Sequence, residues 1–334
     1  MNNKKPEFVK LTNLAAEGLG SKTLACSDDF FAPMHNLIQE GRGIFIADKY
    51  TENGKWMDGW ESRRKRTPGN DWCIIKLAVP GTITGVDIDT NHFLGNHPPH
   101  SSIEGCYVDD QTNTDELISN KNLWQEILPI SSLEPGSHNF YDIESEKQFT
   151  HLRLNIFPDG GVARLKVYGH VYKNWDSVNK EDEIDLASAL NGGQAVLCND
   201  MFFSHMQNLL KPERGKNMGD GWETKRNRTP GNVDWVIIKL AHPGVIKKVV
   251  IDTAHFKGNF PDSFMLQGFN FGDNNNPDFE NITWQELLPK SKLNADLEHE
   301  FINELKNIGQ ISHVKLNIFP DGGISRLRLF GTLK

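Results

Sequence analysis

Hydrophobic and polar positions alternate with a period of two through much of this chain. Over residues 151–157, Leu152, Leu154 and Ile156 fall on one face, while His151, Arg153, Asn155 and Phe157 fall on the other. That alternation predicts a half-buried β-strand. Pro158-Asp159-Gly160-Gly161 follows. Proline presets one φ and the glycines admit positive φ, so a turn is expected there. Residues 162–168 alternate again, with Ala163, Leu165 and Val167 on one face, and the two runs together predict a β-hairpin. Residues 72–77 read as a short apolar strand ended by Pro80-Gly81, and residues 83–89 as another. Short strands separated by Pro/Gly turns predict an all-β sandwich or jelly roll. Helical signal is scarce, and 122–128 is too short to assign.

The pattern occurs twice. DGWESRRKRTPGNDW at 58–72 aligns with DGWETKRNRTPGNVDW at 220–235 once Val233 is treated as an insertion, and 12 of the 15 aligned positions are identical. IIKLAVPG and IIKLAHPG follow, then DTNHFLGN at 89–96 against DTAHFKGN at 252–259. LWQEILP matches TWQELLP, and HLRLNIFPDGGVARLKVYG matches HVKLNIFPDGGISRLRLFG. Each copy is long enough to be a domain rather than a solenoid unit. The expected layout is a first repeat over 1–172, a linker and the start of the second repeat over 173–193, and a second repeat over 194–334.

Composition narrows the function. With 36 Lys and Arg against 44 Asp and Glu, the formal net charge is 36 − 44 = −8, which argues against a general nucleic-acid binder. No apolar run reaches about 18 residues, so no membrane span is expected, and no signal peptide is read at the N-terminus. Cys26, Cys73, Cys106 and Cys198 form no C-x-x-C pair. Reduced thiols and a cytoplasmic location are expected. His92, His97 and His100 have ligand-like spacing, but Phe260 and Ser263 replace the last two in the second copy. No metal site or cofactor is expected, while dependence on a divalent metal stays open.

The polar residues kept in both copies are the candidates for chemistry. Glu61 and Glu223, with His92 and His255, are the candidate acids and bases. Arg64 and Arg66, and Arg226 and Arg228, are the arginines retained from a basic run, suited to a carboxylate. Asp89, Asn96 and Arg164, with Asp252, Asn259 and Arg326, complete the candidate binding set. The competing reading is a pair of loops held by their own ion pairs and turns.

The ordered combination DGWE, DWCIIKL, D-x-DT-x-HF-x-GN, W-x-E-x-LP and RLNIFPDGG, in both halves, closely resembles the allantoicase family. That resemblance implies two tandem jelly-roll domains similar to galactose-binding-like modules. It also implies hydrolysis of allantoate to ureidoglycolate and urea in purine breakdown. Allantoate is then the small-molecule partner, and a homo-oligomer is expected. A neighbouring ureide hydrolase or lyase and a non-catalytic ligand-binding protein are the alternatives.

Overall fold

The computed structural model describes residues 5–109, 111–272 and 277–333. The chain divides into two compact units, Met1–Tyr172 and Lys173–Lys334. Each is an all-β sandwich of the same topology. In the first, the hydrogen-bonded order is Thr12–Asn13, Arg164–Val171, Asp71–Asp89, Gln148–Phe157, His100–Cys106 and Gln125–Ser132. The second repeats it as Ile184–Asp185, Arg326–Leu333, Asp234–Asp252, Ile311–Phe319, Ser263–Phe269 and Gln285–Lys292.

The two strands read around Pro80-Gly81 are one 19-residue strand, Asp71–Asp89, that changes partners halfway. Its first part pairs with Gln148–Phe157 and Lys22–Cys26, its second with Arg164–Val171 and Phe140–Asp142. The register breaks between the two parts. A proline there removes one ladder donor, and the strand passes from one layer to the other at that point.

The expected hairpin across Pro158–Gly161 does not form, and this corrects the sequence reading. Gln148–Phe157 pairs with the first part of the long strand, whereas Arg164–Val171 pairs with the second. Between them, Gly161–Val162 leaves both ladders to pair with Trp60–Glu61. The alternation on each strand reports burial against the core, and it is blind to which neighbour supplies the ladder. Leu152, Leu154 and Ile156 pack with Val86, Ile88, Leu165 and Val167 in that core. The opposite face is not half-exposed either. His151 and Asn155 are buried. Thr114–Ser119, a short α-helix, brings Leu117 and Trp124 over Ile74 and Cys106 on that side. Residues 122–128, left unassigned by the sequence, run from the single turn Lys121–Leu123 into the strand Gln125–Ser132.

The segment 173–193 is only partly a linker. Ile184–Asp185 pairs with Gly331 and Phe330, and Leu186, Ala187 and Ala189 are buried in the second domain. Ile184–Asp185, Leu186 and Ala187 stand where Thr12–Asn13, Leu14 and Ala15 stand in the first.

Candidate functional site

At one end of each sandwich, three repeated motifs lock together around one phenylalanine. Phe93 is fully buried. A Cβ on Gly161 would lie 2.0 Å from its ring, and one on Gly59 would lie 2.7 Å from it. Phe256 stands in the same relation to Gly323 and Gly221, at 1.9 and 2.8 Å. The glycines of the DGW and DGG motifs are therefore required by the aromatic ring of the HF motif. Gly161 N–H also donates to the Asn96 carbonyl at 2.8 Å, and Gly323 N–H to that of Asn259 at 2.8 Å.

Buried ion pairs brace the same end. Arg164, 2% exposed, donates to an Asp58 carboxylate oxygen at 2.9 Å and to the Asp58 carbonyl at 3.1 Å. Arg326 holds Asp220 in the same way, at 2.8 Å to the carboxylate. Asp89 is fully buried and takes both contacts of a forked pair from Arg42, at 2.8 and 3.1 Å. Asp252 takes the matching pair from Arg214, at 2.9 and 3.3 Å. Asp89, Asp252, Arg164 and Arg326 thus each take part in an ion pair within their own domain. Arg42 and Arg214 were missed from sequence. Their signal is the repeated Arg-Gly step at 42–43 and 214–215. It is obscured because Arg42 lies 58 − 42 = 16 residues before its DGW aspartate and Arg214 only 220 − 214 = 6.

Glu61 and Asn96 meet at this end. Glu61 pairs with Gly161 on one side and bridges to Ala32 on the other. Its Oε1 accepts from Asn96 Nδ2 at 2.7 Å. Burial pushes the Glu61 carboxyl above the usual carboxylate range, partly countered by the Asn96 hydrogen bond. Glu223 and Asn259 form the equivalent contact at 2.5 Å. His92 and His255 do not join these carboxyls in a hydrogen bond. Both occupy left-handed backbone, with φ of 67° and 70°. The His92 ring lies against Phe45, 5.6 Å between centroids. His255 Nε2 is 2.7 Å from the Gly215 carbonyl.

The basic run leaves Glu61 along an exposed loop. Arg63 pairs with Asp28 at 2.6 Å and Lys65 with buried Asp71 at 2.7 Å. Arg64 and Arg66 are exposed, and among the described residues neither has an ion-pair partner. Asp159, at the turn, accepts the Lys65 backbone N–H at 2.7 Å and so fixes this loop. The second repeat uses Asp321 and Asn227 N–H for the same contact, 2.8 Å. Its Arg226 and Arg228 are exposed too. They line a cleft of about 560 Å³ with Asn199, Asp200, Lys225, Asn227 and Asp234.

The thiols are poor nucleophiles. Burial pushes Cys26 and Cys106 up to about 12 and Cys198 to about 11, with nearby aspartates adding to the effect at Cys26 and Cys198. Among the described residues, no group of three or more His, Cys, Asp or Glu is gathered as metal ligands. Nor is any helix among them long and apolar enough to cross a membrane.

Comparison with known proteins places this architecture. The allantoicase repeat family model matches twice, over residues 12–172 and 184–334. A probable allantoicase from Stutzerimonas stutzeri is 51% identical over 326 residues, covering 97% of this chain and 97% of that protein. One from Photobacterium profundum is likewise 51% identical over 326 residues, with 97% of each chain covered. The crystal structure of allantoicase from Saccharomyces cerevisiae superposes with a TM-score of 0.83 at 38% identity, covering 96% of this chain and 93% of that one. With both repeats matched and nearly full-length relatives at half identity, this chain belongs to the allantoicase family.

Proposed function

We propose that this chain hydrolyses allantoate to ureidoglycolate and urea in purine degradation, and that a loop-end glutamate supplies the proton for C–N cleavage. Allantoate is a carboxylate on a carbon bearing two ureido groups. One C–N bond breaks and a C–O bond to water forms. One water hydrogen ends on the departing urea nitrogen, and the hydroxyl stays on carbon.

The observation that carries the residue assignment is the half-buried Glu61 carboxyl, raised by burial and oriented by Asn96. A raised carboxyl keeps its proton closer to neutral pH, which suits a general acid. Glu61 gives its proton to the leaving nitrogen and, as carboxylate, takes one back from the attacking water. The same group serves whether water enters as urea leaves or after an imine has formed. Positioned acids of this kind contribute about 10²–10⁴-fold. Arg64 and Arg66, on the same loop and without ion-pair partners among the described residues, bind the substrate carboxylate, and Asn96 holds a ureido arm beside Glu61. Glu223, Asn259, Arg226 and Arg228 are the corresponding set of the second repeat. We leave His92 and His255 outside the proton path, because one ring lies on Phe45 and the other on the Gly215 carbonyl.

We further propose a cytoplasmic enzyme that needs no cofactor and assembles as a homo-oligomer. The free cysteines support a reducing compartment, and light scattering of the purified protein reads the assembly. Urea release from allantoate by the purified protein, with and without a chelator, tests the reaction. Urea above the spontaneous rate in both is expected. Urea from ureidoglycolate but not from allantoate would move the assignment to a neighbouring ureide enzyme.

A further inference from the structure

Both repeats keep two adjacent phenylalanines in the loop that holds the site glutamate, but only the first repeat covers them. Phe30 and Phe31 meet edge to face, 5.2 Å between centroids, and Phe202 and Phe203 do the same at 4.9 Å. Each loop is built on an aspartate. Asp28 Oδ1 accepts the Phe30 and Arg63 backbone N–H groups at 3.3 and 2.8 Å, and its carbonyl accepts Trp60 Nε1–H at 2.8 Å. Asp200 repeats all three contacts, with Phe202 N–H at 3.1 Å, Lys225 N–H at 2.7 Å and Trp222 Nε1–H at 2.9 Å. The loop then grips the glutamate backbone. Phe31 and Ala32 N–H both donate to the Glu61 carbonyl at 3.2 Å, and Glu61 N–H donates back to the Ala32 carbonyl at 3.0 Å.

In the second repeat the same three bonds, from Phe203 and Ser204 to the Glu223 carbonyl and from Glu223 to the Ser204 carbonyl, measure 3.2, 3.4 and 3.5 Å. Phe202 and Phe203 are 64% and 61% exposed, whereas Phe30 is 42% exposed and Phe31 is half-buried. The first repeat has 16 − 6 = 10 more residues between its bracing arginine and the DGW aspartate, and the tip of that insertion reaches the phenylalanine loop. Asn53 Nδ2 donates to the Phe30 carbonyl at 2.8 Å. Gly54 lies against the Phe31 ring, where a Cβ would stand 3.9 Å from it. The tip is shaped by Thr51, whose Oγ1 accepts the Asn53 N–H at 3.2 Å. The insertion ends at Met57, which is buried in one cluster with Ala32, Phe93 and Ala163. Both its tip and its base therefore bear on the segment that carries the Glu61 backbone.

We propose that Asn53 is a positioning residue of the first repeat. It latches the Phe30–Phe31 loop, and through Phe31 and Ala32 it holds Glu61 more rigidly than Glu223 is held in the second repeat. Local opening of the first loop must break the Asn53 bond as well as the bonds common to both repeats. The consequence for turnover rests on the proton donation by Glu61 proposed above, while the latch itself stands without it.

Amide hydrogen exchange of the full chain, resolved to single residues, tests the latch. The Phe31, Ala32 and Glu61 amides are expected to show higher protection factors than those of Phe203, Ser204 and Glu223. Asn53→Ala and Asn53→Asp each remove the donor, and the aspartate keeps the shape of the side chain. Each is expected to lower the first-repeat protection by about twofold to tenfold, the range for one neutral hydrogen bond, with the second-repeat amides unchanged as the internal reference. In a Glu223→Gln background, where turnover falls to the first repeat, Asn53→Ala is expected to lower kcat for allantoate by about twofold to tenfold while KM stays within about twofold. Equal protection of the two loops in the wild type overturns the latch, as does unchanged first-repeat protection in both variants. Lower protection with unchanged kcat overturns the positioning role. A wild-type protein that releases no urea from allantoate would overturn the reaction, and the exchange result alone would then decide the latch.

Discussion

The two repeats share their frame almost contact for contact and differ in what they put on top of it. Phe93 and Phe256 sit on matching glycines, and Asp58–Arg164 and Asp220–Arg326 close the same corner. Arg42–Asp89 and Arg214–Asp252 brace the same strand end. Above this frame the first repeat carries an insertion, with a small hairpin of Tyr50–Thr51 and Gly54–Lys55 and exposed Ile44, Phe45 and Ile46. The Phe45 ring lies on His92. The second repeat has only a few residues there, and His255 bonds Gly215 instead. The first repeat neutralises two of its four basic-loop cations internally, whereas the second leaves its loop open above a cleft. Identity between repeats thus marks the scaffold as strongly as it marks the chemistry, and the differences mark where two sites can diverge in role.

The shared frame gives the largest expected effect. Arg164→Ala removes the guanidinium paired with the Asp58 carboxylate at 2.9 Å and is expected to cost about 3–5 kcal/mol of stability. Arg326→Ala leaves Asp220 its Lys211 contact at 3.0 Å and is expected to cost less, both read by denaturant unfolding. A loss near zero in either repeat breaks the claim that the corner is common to both. Next comes the ligand set. Arg64→Gln with Arg66→Gln removes charge-assisted bonds of about 1.5–3 kcal/mol each, and a rise of tenfold or more in KM for allantoate is expected. An unchanged KM transfers carboxylate binding to the second repeat.

Gly161→Ala forces a methyl into the Phe93 ring and is expected to lose about 1–3 kcal/mol, with Gly323→Ala matching it through Phe256. The smallest effect is a slope. The Glu61 carboxyl is raised in the folded protein, so between its unfolded and folded pKa values the native state binds more protons than the unfolded one. Stability from this group therefore falls as pH rises through that window. Glu61→Gln is expected to flatten the stability–pH curve there and to leave the protein at least as stable at neutral pH. A steeper fall with pH in that variant would refute the burial effect.

Much of the fold was legible because burial imposes a period of two on each strand and the repeat doubles the evidence. What escaped was relational. The alternation at 151–157 and 162–168 specifies two strands with inward faces, but the long strand Asp71–Asp89 that separates their ladders is visible only in the pairing. The same limit applies to the site. Glu61 and Asn96 were singled out, and the structure joins them. Arg64 and Arg66 were separated from Arg63 and Lys65 by what the second copy kept, and they are the pair without ion-pair partners among the described residues. Asp89 and Arg164 carry the same repeat signal, yet they are buried, because an ion pair that holds a corner survives duplication as readily as one that meets a ligand. Arg42 was hidden by the insertion that changes its spacing.

If the Glu61 carboxyl protonates the departing urea, its loss slows C–N cleavage. Initial rates of urea release from allantoate by Glu61→Gln, Glu223→Gln and the double variant, each measured against the wild type, test this most directly. Glu61→Gln combined with Glu223→Gln is expected to lower kcat by about 10²–10⁴-fold with the fold intact, while each single variant keeps the share of the other repeat. Wild-type kcat in the double variant would contradict proton donation by these carboxyls.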